Sequence, residues 1–210
     1  MAETAPETYL RDLATFLNNL AYFLADVGRR EEALTSVEEA RTIRRRLAET
    51  APDAHLPALA GSLNSLAIYL AEVGRDTQAL ASVEEATEHY RQLADTEPDA
   101  YLPHLATSLC DLANRLTEVG RHEQALARVQ EAVAICRRLA EAEPETYLPD
   151  LAAALDILAN RLADAGSREE ALAIAQEASD HYRQLAEAWP DRFGADAAAV
   201  AALLKRLESG

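Results

Sequence analysis

The chain has 210 residues, a formal net charge of -16 and an apolar content of 49%, which excludes a mainly disordered chain. This charge argues against nucleic acid or an anionic membrane as a partner, because both attract basic patches. Residues 1–5 show no basic-then-apolar leader, and no apolar run is long enough to span a bilayer. Two cysteines are too few for a disulfide framework. Together these features favour a cytoplasmic protein.

Proline and glycine recur along the chain at a constant interval of 46 residues. The matching residues are Pro6, Pro52, Pro98, Pro144 and Pro190, with Gly28, Gly74, Gly120 and Gly166 between them. A fixed period of this size is the signature of a repeat architecture. We predict full repeats at 6–51, 52–97, 98–143 and 144–189, followed by a partial repeat at 190–210.

Each repeat has the pattern of two helices. In the first repeat, apolar residues from Leu10 to Leu24 recur three and four residues apart, which places them on one helical face. Gly28 suits the left-handed residue that ends such a helix. The second helix is predicted from Arg30 to Glu49, with acidic residues and arginines on its solvent face.

The segments between repeats carry two prolines. We predict that Pro52 ends one helix and that Pro57 opens the next. Because a helical hairpin can bury its apolar stripe only against neighbouring hairpins, we predict an all-α, right-handed α-solenoid of four hairpins as a single domain over 1–210. A helix from about Asp196 to Glu208 is predicted to cap it.

The first helix contains a motif that resembles the kinesin light chain type of tetratricopeptide repeat. Leu17-Asn18-Asn19-Leu20-Ala21 matches that signature fully, and Leu63-Asn64-Ser65-Leu66-Ala67 matches it closely. Leucine replaces the aromatic residue usual early in the first helix, and the period exceeds the usual length of about 34 residues. Similar arrays occur in large bacterial signalling proteins. The resemblance implies a binding scaffold without enzymatic activity or a cofactor.

The resemblance also implies a concave groove lined by the first helix of each repeat. The residues predicted on its wall are Asn18, Asn19, Tyr22, Asn64, Ser65, Ile68, Asp111, Asn114, Asp156 and Asn160. Asparagine amides both donate to and accept from an extended peptide backbone, although they could equally bond within the array. The acidic wall residues predict a neutral to basic protein or peptide partner, unless the acidity serves solubility alone.

The sequence contains no recognisable catalytic or metal-binding motif. Phosphate-binding glycine loops, nucleophile elbows and zinc-protease motifs are absent from it, and its five histidines cannot converge on one ion. Cys110 and Cys136 are predicted to remain thiols. Ring-bearing residues in one shared register are predicted to seal neighbouring repeats; they are Tyr9, His55, Tyr101, Tyr147 and Phe193.

An alternative function is a structural, self-associating spacer or regulatory array within a larger bacterial signalling protein. It rests on Phe16 and Phe23, which make the first helix the most aromatic of the chain. The rings could fold inward onto the second helix, be covered by a preceding repeat or domain, or pack against a second copy in a weak homodimer. The sequence leaves these three explanations open.

Overall fold

The chain forms paired α-helices along its length. The computed structural model describes residues 4–209, with side chains from residue 7, and over this range it contains nine helices and no strand. They are α1 (Thr4–Asp26), α2 (Arg30–Thr50), α3 (Pro52–Glu72), α4 (Asp76–Thr96), α5 (Pro98–Glu118), α6 (His122–Ala142), α7 (Pro144–Asp164), α8 (Arg168–Ala188) and α9 (Pro190–Ser209). The predicted all-α solenoid class, built from helical hairpins, is confirmed.

A glycine turn joins the two helices of each hairpin. Gly28 has a φ of +78°, and its amide donates to the Ala25 carbonyl at 2.9 Å, while the Arg29 amide donates to the Leu24 carbonyl at 2.8 Å. These bonds satisfy carbonyls at the end of α1 that have no partner within the helix. The glycines of the three later turns also have positive φ angles. The predicted left-handed glycine is therefore confirmed.

The predicted connector between repeats was wrong. Only Ala51 separates α2 from α3, and α3 begins at Pro52, with Pro57 inside the helix. Proline suits the first helical position because its missing amide would have no partner there, and it disfavours helical geometry at the residue before it. For the same reason α9 begins at Pro190, six residues before the predicted Asp196.

The chain divides into two compact units, Met1–Tyr101 and Leu102–Gly210. In the first unit α1 packs on α2, α2 on α3, and α3 on α4; in the second, α6 packs on α7, α7 on α8, and α8 on α9. Within the units, α2 is therefore shared between α1 and α3, and α8 is shared between α7 and α9. The single domain over 1–210 stays a prediction.

Leucine fills the core position where related repeats carry an aromatic residue. Leu63, Leu109 and Leu155 share this register, and each is at most 1% exposed. Alanine occupies a second core register, near the start of each second helix, and all four of its residues are 0% exposed: Ala33, Ala79, Ala125 and Ala171. Small residues at these points let helix axes approach closely, so the larger leucines can fill the space between them.

The ring-bearing residues of the shared register lie within the first turns of first helices. His55 and Phe193 are buried, Tyr101 and Tyr147 are half-buried, and Tyr9 is exposed. His55 Nε2 lies 2.8 Å from Glu7 Oε1, which joins α3 to α1. The predicted sealing role therefore fits His55 and Phe193 best.

Candidate functional site

The first helices of the first unit meet through a polar network at Asn18. The Asn18 amide nitrogen donates to Ser65 Oγ at 3.5 Å, and Ser62 Oγ donates to Asn18 Oδ1 at 3.3 Å. Two predicted wall residues, Asn18 and Ser65, are thus brought together across α1 and α3. Because the Asn18 amide bonds within the array, its role is to join helices.

An arginine from α2 anchors this network. One Arg44 guanidinium nitrogen donates to Ser62 Oγ at 2.5 Å and to the Ala58 carbonyl at 3.0 Å. Burial lowers the pKa of Arg44, partly offset by Tyr90. The sequence analysis missed Ser62 and Arg44. One signal was available in the sequence: Tyr90 and Tyr182 occupy the positions equivalent to Arg44 in repeats two and four. Aromatic residues at these positions indicate that the register faces inward.

Three predicted wall residues of the first unit face solvent. Asn19 and Tyr22 on α1 are exposed, the latter by 65%, and Ile68 on α3 is 49% exposed. Asn64 is half-buried beside them. The exposed surface therefore combines an amide, a phenol and an aliphatic side chain, which suits a neutral peptide segment.

The wall of the second unit is acidic and partly desolvated. Asp111 and Asn114 on α5 are half-buried, as are Asp156 and Asn160 on α7. The Asn160 amide donates to Asp156 Oδ1 at 3.1 Å and to the Asp156 carbonyl at 2.9 Å. Burial raises the pKa of both aspartates; nearby Asp196 raises that of Asp156 further. Burial therefore makes these carboxylates costlier to ionise than exposed ones.

Two arginines border this acidic wall, and the sequence analysis did not place them there. Arg115 lies 2.7 Å from Glu118, and Arg161 lies 3.8 Å from Asp164. Each pair lies within one helix, three residues apart. The same arginines also act on the aspartates: Arg115 lowers the pKa of Asp111 and Arg161 lowers that of Asp156, and in both cases burial has the larger effect.

A small cavity of about 120 Å³ opens between α5, α6 and α7, where Cys110 and Cys136 lie together. Asp150 and Ile157 also line it. Both cysteines are thiols, as predicted, and burial raises the pKa of each to about 12. Cys110 occupies the register of Asn18, so an apolar cavity in the second unit replaces the polar network of the first.

A second type of cavity lies on the side of the repeats formed by the second helices. The sequence analysis did not consider this cavity. In the second unit it measures about 370 Å³ and is lined largely by apolar residues such as Val133, Leu158 and Ile174. The equivalent cavity of the first unit measures about 270 Å³ and is lined by Arg41, Gln78, Glu85 and other residues. The repeats therefore share a shape at this position but differ in its chemistry.

Phe16 and Phe23 lie on the surface of α1. Their exposed fractions are 63% and 64%, so the inward-folding explanation was wrong. The edge of the Phe23 ring meets Tyr22, with 5.7 Å between centroids. The two phenylalanines therefore form an apolar surface of their own.

Metal binding and membrane insertion find no support within residues 4–209. No cluster of three or more histidine, cysteine, aspartate or glutamate side chains there could hold a metal ion. Nor does any helix in that range combine the length and apolar character needed to cross a bilayer.

Two family models match parts of the sequence. The tetratricopeptide repeat model matches residues 13–55 and 105–144, and the model of anaphase-promoting complex subunit 5 matches residues 50–116 and 163–197. Among curated proteins, none matches this sequence significantly. The matched segments include the motif at Leu17 and the α5 residues Asp111 and Asn114, but they do not include Asp156 or Asn160 on α7.

Solved structures with the same fold have low sequence identity to this chain. A kinesin light chain protein with tetratricopeptide-like repeats from Podosopora anserina has a TM-score of 0.68 at 18% identity, covering 96% of this chain and 95% of its own. The Rap conjugation regulator of plasmid pLS20, in complex with the Phr* peptide, has a TM-score of 0.58 at 17% identity, covering 80% and 42%. Aspartyl phosphate phosphatase F from Bacillus subtilis has a TM-score of 0.67 at 14% identity, covering 95% and 50%.

Proposed function

We propose that this chain, a tetratricopeptide repeat protein, is a non-catalytic cytoplasmic scaffold that binds a neutral to basic protein or peptide segment along the walls of its first helices. The observation that carries this proposal is the pair of half-buried aspartates on neighbouring helices, Asp111 on α5 and Asp156 on α7.

The two aspartates favour a cationic ligand for a physical reason. Their ionised forms lose hydration by burial. Arg115 compensates Asp111 only in part, and Asn160 and Arg161 compensate Asp156 only in part. A lysine or arginine of a ligand would supply both the opposite charge and the missing hydrogen bonds. Binding would therefore relieve a cost that the unbound protein carries.

The first unit, taken by itself, offers neutral contacts to a peptide. Asn19 can donate to and accept from a peptide backbone, while Tyr22 and Ile68 offer apolar area. The Rap conjugation regulator, which has the same fold, forms a complex with a peptide. That similarity supports a peptide or protein as the partner of this chain.

A charge-swap experiment tests the electrostatic part of the proposal. Two labelled peptides of equal length, one rich in arginine and one rich in glutamate, are titrated against the full chain by fluorescence anisotropy. We expect the arginine-rich peptide to bind more tightly. Replacing both carboxylates in Asp111→Asn with Asp156→Asn should weaken its binding about tenfold or more, since hydrogen bonds to charged groups contribute about 1.5–3 kcal/mol.

The matched control removes the same charge away from the wall. Glu123→Gln with Glu187→Gln changes two exposed carboxylates on α6 and α8 and should leave binding unchanged. Equal losses in both double variants would show that net charge alone attracts the peptide. Equal binding of both peptides by the unmodified chain would contradict the proposed preference.

The neutral part of the wall is tested by removing its amides. Replacing Asn19, Asn64 and Asn114 together with alanine should weaken binding of a partner recovered from the native host, while circular dichroism stays unchanged. Full affinity in a folded triple variant would argue against the wall as the binding surface.

A further inference from the structure

The outer surface of α1 carries a line of exposed aromatic rings, which we call the α1 stripe. It consists of Tyr9, Phe16 and Phe23, which are 67%, 63% and 64% exposed. Of the seven large hydrophobic residues exposed in the described chain, five lie on α1 or directly after it. A concentrated apolar patch of this kind marks an interaction surface, whereas single exposed residues do not.

Later first helices bury the positions that correspond to the stripe. The register of Phe16 is occupied by Ser62, Ala154 and Val200, each at most 1% exposed. The helices that carry them pack on the preceding second helix, namely α3 on α2, α7 on α6, and α9 on α8. The stripe therefore lies on a face that this repeat normally uses for contact.

The size of Phe16 argues against a further hairpin stacked in the same way. At the equivalent point of α3, the Arg44 guanidinium lies 2.5 Å from Ser62 Oγ and also reaches the Ala58 carbonyl. A phenylalanine ring there would occupy the space of the Arg44 guanidinium, and overpacking of this kind is destabilising. The small side chains of α3 and α7 permit close stacking, and the ring on α1 holds a neighbour further away.

We propose that the α1 stripe is the interface of a weak homodimer in which α1 of one copy packs antiparallel on α1 of a second copy. The three rings are spaced seven residues apart, so they follow one side of the helix with a drift of about 20° per step. A two-fold axis passing beside Phe16 makes this spacing self-complementary. Phe16 meets Phe16 of the second copy, and Tyr9 meets its Phe23.

The rings of the stripe are uncharged, although the chain carries -16 and Asp12 lies on the same side of α1, three residues after Tyr9 and four before Phe16. On α1, Glu7, Asp12 and Asp26 oppose Arg11, and Asp12 is the acid nearest in register to the rings. Asp12 is paired with Arg11 at 3.8 Å, so the charge nearest to the rings is partly neutralised within each copy. Because the remaining charges repel each other, we expect higher ionic strength to tighten the dimer.

The area of the stripe sets the expected strength. Fully buried aromatic side chains remove about 150–250 Å² each from water, so three rings exposed by about two thirds offer on the order of 400 Å² per copy. The resulting total of about 800 Å² is below the standard size of about 1,600 Å² for stable complexes. We therefore expect dissociation in the micromolar range or weaker.

Sedimentation velocity of the full chain over a hundredfold range of concentration tests the dimer. We expect a monomer–dimer equilibrium that Phe16→Ser with Phe23→Arg abolishes, with unchanged circular dichroism because both rings are on the surface. The matched control is Ile68→Ser, which removes an exposed apolar side chain on α3, outside the stripe, and should leave the dimer intact. The dimer-deficient variant should still bind the arginine-rich peptide, which separates this proposal from the proposed function.

Cysteine pairing tests the antiparallel geometry. Under mild oxidation, chains carrying Tyr9→Cys should form a disulfide with chains carrying Phe23→Cys. Tyr9→Cys alone should remain uncrosslinked, because the two Tyr9 positions lie about 21 Å apart along the helix axis at 1.5 Å per residue. Of the native cysteines, Cys136 is buried and Cys110 is half-buried, and burial raises the pKa of each to about 12, so both should react slowly.

Four results would overturn the proposal. They are a monomer at every concentration, a dimer that survives the double substitution, efficient crosslinking of Tyr9→Cys to itself, and open-ended oligomers. The third would indicate parallel pairing. The last would indicate head-to-tail stacking of hairpins.

Discussion

Leu155 offers the sharpest test of how the repeats are held together. Its side chain on α7 is 0% exposed, and the neighbouring core positions Ala152 and Ala159 carry alanines that are too short to fill a void. Leu→Ala substitutions in packed cores cost about 2.7–5 kcal/mol, and the cost increases with the volume of the cavity that remains. Because the flanking alanines cannot collapse into the space, we expect Leu155→Ala to lower the free energy of unfolding by about 3–4 kcal/mol.

Urea unfolding followed by circular dichroism measures this loss, and hydrogen exchange locates it. In repeat arrays each hairpin contacts only its neighbours, so amide protection should fall most in α6, α7 and α8. The control Leu155→Met retains most of the volume and should cost less than about 1.5 kcal/mol. A loss below about 1.5 kcal/mol for Leu155→Ala, or equal to that of Leu155→Met, would refute the packing argument.

Three further predictions follow from particular features of the fold. Gly74→Ala should lower the free energy of unfolding by about 1 kcal/mol through backbone strain alone, because φ is +74° and an added Cβ meets nothing within 4 Å. Urea titration measures this loss. A neutral result would contradict the need for a left-handed residue. Deleting residues 190–210 should lower the melting temperature and the solubility, because α9 buries four apolar side chains, namely Phe193, Val200, Leu203 and Leu207. An unchanged melting temperature with monodisperse behaviour would contradict the capping role of α9. Cys110 and Cys136 should react slowly with iodoacetamide at pH 8 in the folded chain and rapidly in urea, because burial raises the pKa of both thiols to about 12. Equal rates of reaction in the folded chain and in urea would show that the thiols are accessible.

The sequence predicted the hairpins well because their determinants are local and occur four times. Glycine at the turn and apolar residues at helical spacing act within a few residues of each other, and Gly28 and Gly74 mark the same turn in successive repeats. The helix boundaries at Pro52 and Pro190 were harder to place. Proline both ends a helix and opens one, and the distinction depends on a single intervening residue.

The candidate site was less predictable because it depends on contacts between helices. Whether Asn18 faces a ligand or bonds within the array is decided by Ser62 and Ser65, which lie more than 40 residues away. Arg44 lies in a run of three arginines that is typical of a solvated surface, yet its neighbour in space is Ser62. Local patterns in the sequence identify a helix and its apolar face, but they do not determine which residues of neighbouring helices a polar side chain contacts.

The acidic wall makes a prediction about stability that is independent of any partner. Burial raises the pKa of Asp111 and Asp156 above the value of the unfolded chain, so the folded state favours their protonated forms. Their contribution to stability is therefore fully present below the unfolded pKa of about 3.9 and is lost as the pH rises through the folded pKa.

Asparagine resembles the neutral carboxyl group and avoids this loss. We therefore expect Asp111→Asn with Asp156→Asn to raise the urea midpoint at pH 7.5, with a gain that shrinks towards zero near pH 4. Glu123→Gln with Glu187→Gln corrects for the smaller net charge, because it removes two exposed carboxylates elsewhere. A gain independent of pH, or one matched by that control, would contradict the desolvation argument. A pH-dependent gain accompanied by weaker peptide binding would indicate that these aspartates are retained for binding at a cost in stability.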